Sequence, residues 1–475
     1  MTTRSFVRRG TAVALATAVT ALSAVIGAPA AVAGGPPPIN PGALPADGNP
    51  SPPEPTEPTN NPCTGTQSVN SPGHPPAQQF LGITDAWQFS RGAGQTVAVI
   101  DTGVARHPRL RDLSGGGDYV GAGDGTEDCD VHGTIVAGLI AAQPSDRDGF
   151  AGVAPDARII SIRQTSELYR YKNTQVDPND PKNGGGVGKT TTLAMAIRHA
   201  ADMGARIINI SEVACGPANL NDASVGAAVQ YAAEVKDAVI VAAAGNADPG
   251  GGGGNQQCQG NSGMDPVNPT ADPWNSLAVA VTPAWYDKYV LAVGSVDLNG
   301  QPSQFTVPGP WVGVSAPGEQ IISLDPNGTG LANATIGRNG ANPLRGTSFA
   351  VPYVSGVAAL VRARFPELPA AEVVKRIEAT AHRPPEGWNP WEGFGIIDPI
   401  AALTHSVDPK TVLEKKPSSI TGRSMQLPVP VTPPPPDHTA RNVALIGTGV
   451  IGVLLVLGYL ASFPIRRVFG VREDN

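Results

Sequence analysis

TVAVIDTGVARHP, residues 96–108, runs from a short β-branched and apolar segment into an acid, a threonine and a glycine. A run this short, bounded by turn residues, reads as a strand buried on both faces. Four more segments of the same kind follow it: ARIISI (157–162), ARIINIS (205–211), AVIVAAAG (238–245) and YVLAVGSV (289–296). Helical patterns rich in small residues stand between and after them: HGTIVAGLIAA (132–142), TTLAMAIRHAADM (191–203), SVGAAVQYAAEV (224–235) and SFAVPYVSGVAALVRARF (348–365). Strand and helix in alternation predict an α/β fold, a mostly parallel sheet with helices on both faces and right-handed crossovers. In such sheets the chemistry gathers at the carboxyl ends of the strands.

Outward from that stretch the composition changes sharply. Residues 80–405 make one domain-sized block. The 34–79 extension is dominated by proline and polar residues and predicts an extended arm, and 406–441, ending in PVPVTPPPPD, predicts a semi-rigid spacer. Residues 1–33 combine Arg4, Arg8 and Arg9, an apolar run and an Ala31-Val32-Ala33 step, the pattern of a secretory signal peptide cleaved after Ala33. Residues 442–464 contain VALIGTGVIGVLLVLGYLASF (443–463), long and apolar enough for one transmembrane helix. Arg466, Arg467 and Arg472 in the 465–475 tail place that tail in the cytoplasm and the bulk of the chain outside a cell membrane.

The formal net charge of −7 gives no basis for a nucleic-acid partner. Four cysteines, Cys63, Cys129, Cys215 and Cys258, suit two disulfides in an exported chain, and three pairings are possible. They form no C-x-x-C pair, so zinc is not expected; no ligand set for calcium stands out, and neither a metal nor a cofactor is expected.

Three residues at the expected sheet edge carry chemistry. Asp101 ends the first strand and alone reads as a turn starter. His132 opens a helix after DCDV and alone reads as structural; Ser348 opens another and alone reads as a helix cap. Together, in the order Asp…His…Ser, they have the order of one class of catalytic triad. VAVIDTGV, HGTIVAGLIAA and GTSFAVPYVSGVAALV resemble the three signature segments of the subtilisin-like serine proteases (peptidase family S8), and the resemblance spans about residue 80 to about residue 400. It implies a subtilisin-like fold and a serine endopeptidase in which Ser348 attacks, His132 carries the proton and Asp101 orients the imidazole. VIVAAAGNADPG (239–250) resembles the family segment whose asparagine donates to the oxyanion, which implies that role for Asn246. Residues 165–185, 247–275 and 325–343 are expected insertions, and the arm is too short and too polar for a compact inhibitory propeptide.

GGGVGKTTTL (184–193) superficially matches a phosphate-binding loop. Position 183 is Asn where that loop needs glycine, and no strand directly precedes it, so no nucleotide is expected. By the family resemblance Gly186, Val187 and Gly188 fall on a cleft-edge strand that pairs with substrate backbone, faced by Ser211, Glu212 and Val213 on the other wall; a flexible surface loop is the alternative reading of Gly186–Gly188. Pairing Cys63 with Cys129 would fasten the arm beside His132, and pairing Cys215 with Cys258 would restrain the insertion after Asn246; spacing leaves the other pairings open. The whole arrangement of signal peptide, arm, protease domain, spacer, span and basic tail resembles the mycosins, membrane-anchored proteases of actinobacterial type VII secretion systems. That resemblance implies exported protein substrates and the secretion membrane complex as partners, and a structural role in that complex as the alternative to proteolysis.

Overall fold

The computed structural model describes residues 37–172, 186–247, 258, 260–264, 268, 271–337, 340–417 and 439–468. The expected signal peptide (1–33), residues 418–438 of the spacer and residues 469–475 of the tail lie outside them.

Seven strands build the central parallel sheet: β1 (Thr96–Asp101), β2 (Leu113–Asp118), β3 (Arg158–Arg163), β4 (Ile207–Ile210), β5 (Val239–Ala243), β6 (Val290–Val296) and β7 (Val312–Pro317). Their order is β7-β6-β5-β4-β1-β3-β2. The chain therefore starts at β1, goes out to β2 at the sheet edge, comes back to β3 between them, and then crosses β1 to wind the other way from β4. This reversal at β1 leaves a crevice at the carboxyl ends of the neighbouring strands, the place where ligands meet open α/β sheets.

Period-two alternation assigns the two faces of β1. Val97 and Val99 belong to the core that includes Ile135 and Leu139 of helix α1 (His132–Ala141), whereas Ala98 and Ile100 pack with Leu193 and Ile197 of helix α2 (Thr190–Asp202). All four are fully buried, as a central parallel strand requires. Helix α3 (Ala223–Gln230) lies on the α2 side and runs on as a π-helical turn, Tyr231–Val235, where a continuous helix was expected. Helix α4 (Thr347–Arg364) fills the other side; every residue from Thr347 to Arg362 is buried, the signature of a helix wrapped on all sides. Pro352 has no N–H to offer the carbonyl of Ser348, which loosens the first turns of this helix.

β2 was not expected, because its sequence, LSGGGD, carries almost no apolar signal. Helix α5 (Ala370–Thr380) also escaped the reading, although Ala370, Val373 and Ile377 stand at helical spacing on its buried face.

The N-terminal arm is folded onto the domain. Thr56–Pro58 pairs with Tyr169–Tyr171, and Gly65–Val69 pairs with Leu331–Gly337 in a small antiparallel sheet built from the expected 325–343 insertion. Thr66 and Ser68 donate their hydroxyls to Asp325 at 2.5 and 3.0 Å, and Thr56 donates to the carbonyl of Val120 at 2.5 Å. The C-terminal unit, from Thr421 onward, contains helix α6 (Thr439–Val468). Its stretch Ala440–Ser462 is long and apolar enough to cross a membrane.

Candidate active site

Asp101 sits at the carboxyl end of β1, fully buried, and His132 opens α1 directly above it. The Nδ1–H of His132 donates to Asp101 Oδ1 at 2.8 Å, and the same oxygen accepts the Thr102 N–H at 2.7 Å. Asp101 Oδ2 is buried with no hydrogen-bond partner among the described residues. A carboxylate so poorly served by donors in a dry site pulls strongly on the one cation within reach, the imidazolium.

The approach of α1 to β1 depends on Gly133. A methyl group there would lie 2.0 Å from the carbonyl oxygen of Gly103 and 3.1 Å from Asp101 Cβ. The turn leading into α1 is held by Asp128, which accepts from Thr102 Oγ1 and Val131 N–H on one oxygen, both at 2.8 Å, and from Thr134 on the other, its N–H at 2.8 Å and its hydroxyl at 2.6 Å. Thr102 Oγ1 in turn accepts the Gly133 N–H at 2.9 Å. This lattice holds Val131 in a left-handed conformation (φ 70°), costly for a β-branched residue, immediately before the imidazole. Burial pushes the Asp128 carboxyl up to about 6 against those hydrogen bonds, with help from the charge of Asp101.

Ser348 is the second residue of α4 and 7% exposed. Among the described residues its backbone N–H has no partner, as the first turn of a helix allows. Asn246, just past the end of β5, accepts from Thr347 through its side-chain oxygen, so its amide –NH2 faces away from Thr347. A methyl group at Gly346 would stand 3.0 Å from Ser348 Oγ and 3.4 Å from Asn246 Nδ2. That glycine keeps a space open between the hydroxyl and two N–H donors, which is the geometry an oxyanion needs. The ring of Phe349 packs 5.1 Å from that of His132, tying the start of α4 to the start of α1.

No hydrogen bond joins Ser348 Oγ to His132. Instead a second carboxylate, Glu212 Oε1, lies 3.3 Å from His132 Nδ1. Burial disfavours the charged imidazole, but Asp101, then Glu212 and Asp128, outweigh it and raise its pKa. The donor atoms of Asp101, His132 and Glu212 lie within 4.8 Å of one another; the Asp–His couple already accounts for this closeness, and none is assigned to a metal.

Of the expected cleft edges, Ser211 accepts from Asn209 Nδ2 at 3.0 Å, and Asn209 accepts from Ser355 of α4 at 2.8 Å, which fastens this wall to the serine helix. Val213 packs against both cores. On the opposite wall Val187 exchanges both backbone hydrogen bonds with Ser166, at 3.0 and 2.8 Å. In an antiparallel pairing, successive residues turn their backbone groups to opposite sides, so Gly186 and Gly188 face away from Ser166, and the Gly188 N–H donates to Tyr171 Oη at 3.2 Å. Lys189 pairs with Glu54 of the arm at 2.5 Å. Cys63 is bonded to Cys129 and Cys215 to Cys258. Thr102, Asp128, Thr347 and Gly346 went unnoticed in the sequence; the only hint was an acid four residues before His132, indistinguishable there from a loop residue.

The Subtilase family (Peptidase_S8) model matches residues 92–395. Mycosin-4 of Mycobacterium tuberculosis is 45% identical over 429 residues, covering 88% of this chain and 88% of its own. The crystal structure of MycP1 from the ESX-1 type VII secretion system is similar over 80% of this chain and 98% of that one, with 46% identity and a TM-score of 0.73. A chain of the intact ESX-5 inner membrane complex is 42% identical, covers 90% of this chain and 99% of its own, and has a TM-score of 0.72.

Proposed function

The chain belongs to the subtilase family, and from that premise we propose that it is a membrane-anchored endopeptidase of exported proteins whose triad is Asp101, His132 and Ser348. It is a subtilisin-type serine protease, similar to the mycosins. One observation carries the assignment of roles: the His132–Asp101 couple at 2.8 Å stands beside a serine that opens a buried helix next to the Asn246 amide.

The chemistry follows from that placement. A serine hydroxyl is a weak nucleophile at neutral pH, so its proton must pass to His132 Nε2 as Oγ attacks the scissile carbonyl. Apo enzymes often leave this contact open and close it when substrate packs into the site. Asp101 fixes the Nδ1–H tautomer and stabilises the imidazolium without taking its proton. The developing oxyanion is met by the Ser348 N–H, the Asn246 –NH2 and the positive end of the α4 dipole. His132 then returns its proton to the leaving amine, and water repeats the cycle on the acyl-enzyme.

The catalytic block occupies residues 80–405, with the span at 442–464 tethering it and the 465–475 tail in the cytoplasm. Substrates are exported proteins, with Gly186–Gly188 and Ser211–Val213 as the two lips that receive an extended peptide. The likeness to a chain of the ESX-5 inner membrane complex favours a second role as a subunit that steadies a type VII secretion membrane complex. Ser348→Ala separates the two: labelling by a fluorophosphonate probe and trimming of exported proteins should both stop, whereas secretion should persist if the scaffold role is independent. Labelling that survives in Ser348→Ala would overturn the triad.

A further inference from the structure

His132 Nδ1 has one hydrogen and two carboxylates. Asp101 Oδ1 takes it at 2.8 Å from a fully buried position, while Glu212 Oε1 stands at 3.3 Å on a side chain 40% exposed, projecting from the segment just after β4. Asp101 alone suffices to choose the tautomer and hold the ring. Glu212 therefore adds a second negative charge beside the imidazole. Among the described residues, the other groups facing the ring are the charge of Asp128, from the turn before α1, and the uncharged Phe349 and Ser348 of α4.

We propose that Glu212 is a positioning residue that sets the pH at which this protease switches on, by holding the proton on His132 through its charge. An opposite charge at this distance favours the imidazolium, and the imidazolium cannot accept the proton of Ser348. The acid limb of activity is thus displaced upward, and the free enzyme idles in a mildly acidic medium where a triad with Asp101 alone would turn over. Because Glu212 belongs to the lip that meets substrate, the same carboxylate couples the protonation of the base to the occupancy of the cleft.

The proposal rests on the triad assignment, and its test is built to fail separately. The full-length protein in detergent is reacted with a fluorophosphonate probe across the titration range of an imidazole, and the midpoint of the acid limb is read from the labelling rate. Removing the charge while keeping the shape, Glu212→Gln, should move that midpoint down by about one pH unit, the lower end of the range for a close opposite charge because this one is partly solvated. Glu212→Asp keeps the charge on a shorter arm and should retain at least part of the raised midpoint. An unmoved midpoint in Glu212→Gln overturns the proposal. So do equal shifts in the Gln and Asp variants, since that would make the side chain's shape the cause. Labelling that persists in Ser348→Ala overturns the triad itself, and this reading with it.

Discussion

The side-chain oxygen of Asn246 accepts two hydrogen bonds from Thr347, from its N–H at 2.9 Å and from its hydroxyl at 3.0 Å. Of the two ends of an amide side chain only the carbonyl oxygen can accept from a backbone N–H, so this contact dictates which end faces away from Thr347. The residue next to the proposed nucleophile, Ser348, thereby aims the group expected to stabilise the transition state.

Asn246→Ala should accordingly lower kcat by about 100- to 1,000-fold, the cost of losing one preorganised oxyanion donor, with little change in KM. Thr347→Val leaves the N–H contact and deletes the hydroxyl one, so a milder loss of about 5- to 10-fold is expected, in line with one neutral hydrogen bond. Steady-state kinetics on a peptide substrate check both. A large rise in KM with kcat preserved would place Asn246 in ground-state binding instead.

Gly133→Ala tests how His132 is held. The clash is between backbone and the new methyl, at 2.0 Å from the Gly103 carbonyl, and no rotamer relieves it. α1 must lift from the turn after β1, at a cost of about 3 kcal/mol in stability. His132 is the adjacent residue and moves with it, so kcat/KM should also fall on the order of 100-fold, as a displacement of about 1 Å at a catalytic group can do. Thermal unfolding and kinetics measured together would decide: a stability loss with unchanged activity would mean that the His132–Asp101 contact does not depend on this packing.

These two sites show what could be read before the fold was seen. Asp101, His132, Ser348 and Asn246 each sit where a strand ends or a helix begins, and local periodicity marks those junctions. The strand TVAVID and the α4 segment were visible for the same reason. Thr347, Gly346, Thr102 and Asp128 act only through partners brought in by tertiary packing: Thr347 is 101 residues from Asn246, and Thr102 is 26 from Asp128. Neither pattern nor propensity registers a contact of that kind. β2 was hidden for another reason, since three glycines erase the alternation that identifies a strand. Glu212 was expected on a cleft wall by family resemblance, but its approach to His132 left no trace in the sequence.

The two disulfides should differ in what they protect. By loop-closure reasoning both are worth about 4 kcal/mol, because the dependence on loop length is logarithmic and sequence separations of 66 and 43 residues differ little. Their locations are not alike. Cys129 lies between Asp128 and Asp130, and Asp130 accepts from Ser166 Oγ and Glu167 N–H at 2.5 and 2.8 Å, so this bridge braces the turn that presents His132. Cys215 lies on the strand Ala214–Pro217 that continues from the Ser211–Val213 lip. Replacing Cys63 and Cys129 by serine should depress kcat, whereas replacing Cys215 and Cys258 should mainly raise KM, with similar drops in unfolding free energy. The same kinetic signature in both double variants would contradict this division.

Asp128 makes stability depend on pH in a direction opposite to that of most carboxylates. Its folded pKa stands at about 6, above the value of about 4 for an unfolded aspartate. The folded chain therefore holds a proton that the unfolded chain has released. The resulting stabilisation is complete below about pH 4 and is lost as pH rises through about 6, amounting to about 1–3 kcal/mol for a half-buried group. Asp128→Asn cannot titrate, and it should be less stable than wild type throughout, because its –NH2 must face a donor, either Val131 N–H or Thr134 N–H. The measurable consequence is in the difference between the two proteins. Chemical denaturation at a series of pH values should show the gap between wild type and Asp128→Asn narrowing from about pH 4 to about pH 6, the window set by the two pKa values. A gap that widens over that window would mean that the hydrogen bonds from Thr102, Val131 and Thr134 hold the ionised carboxylate more strongly than burial opposes it.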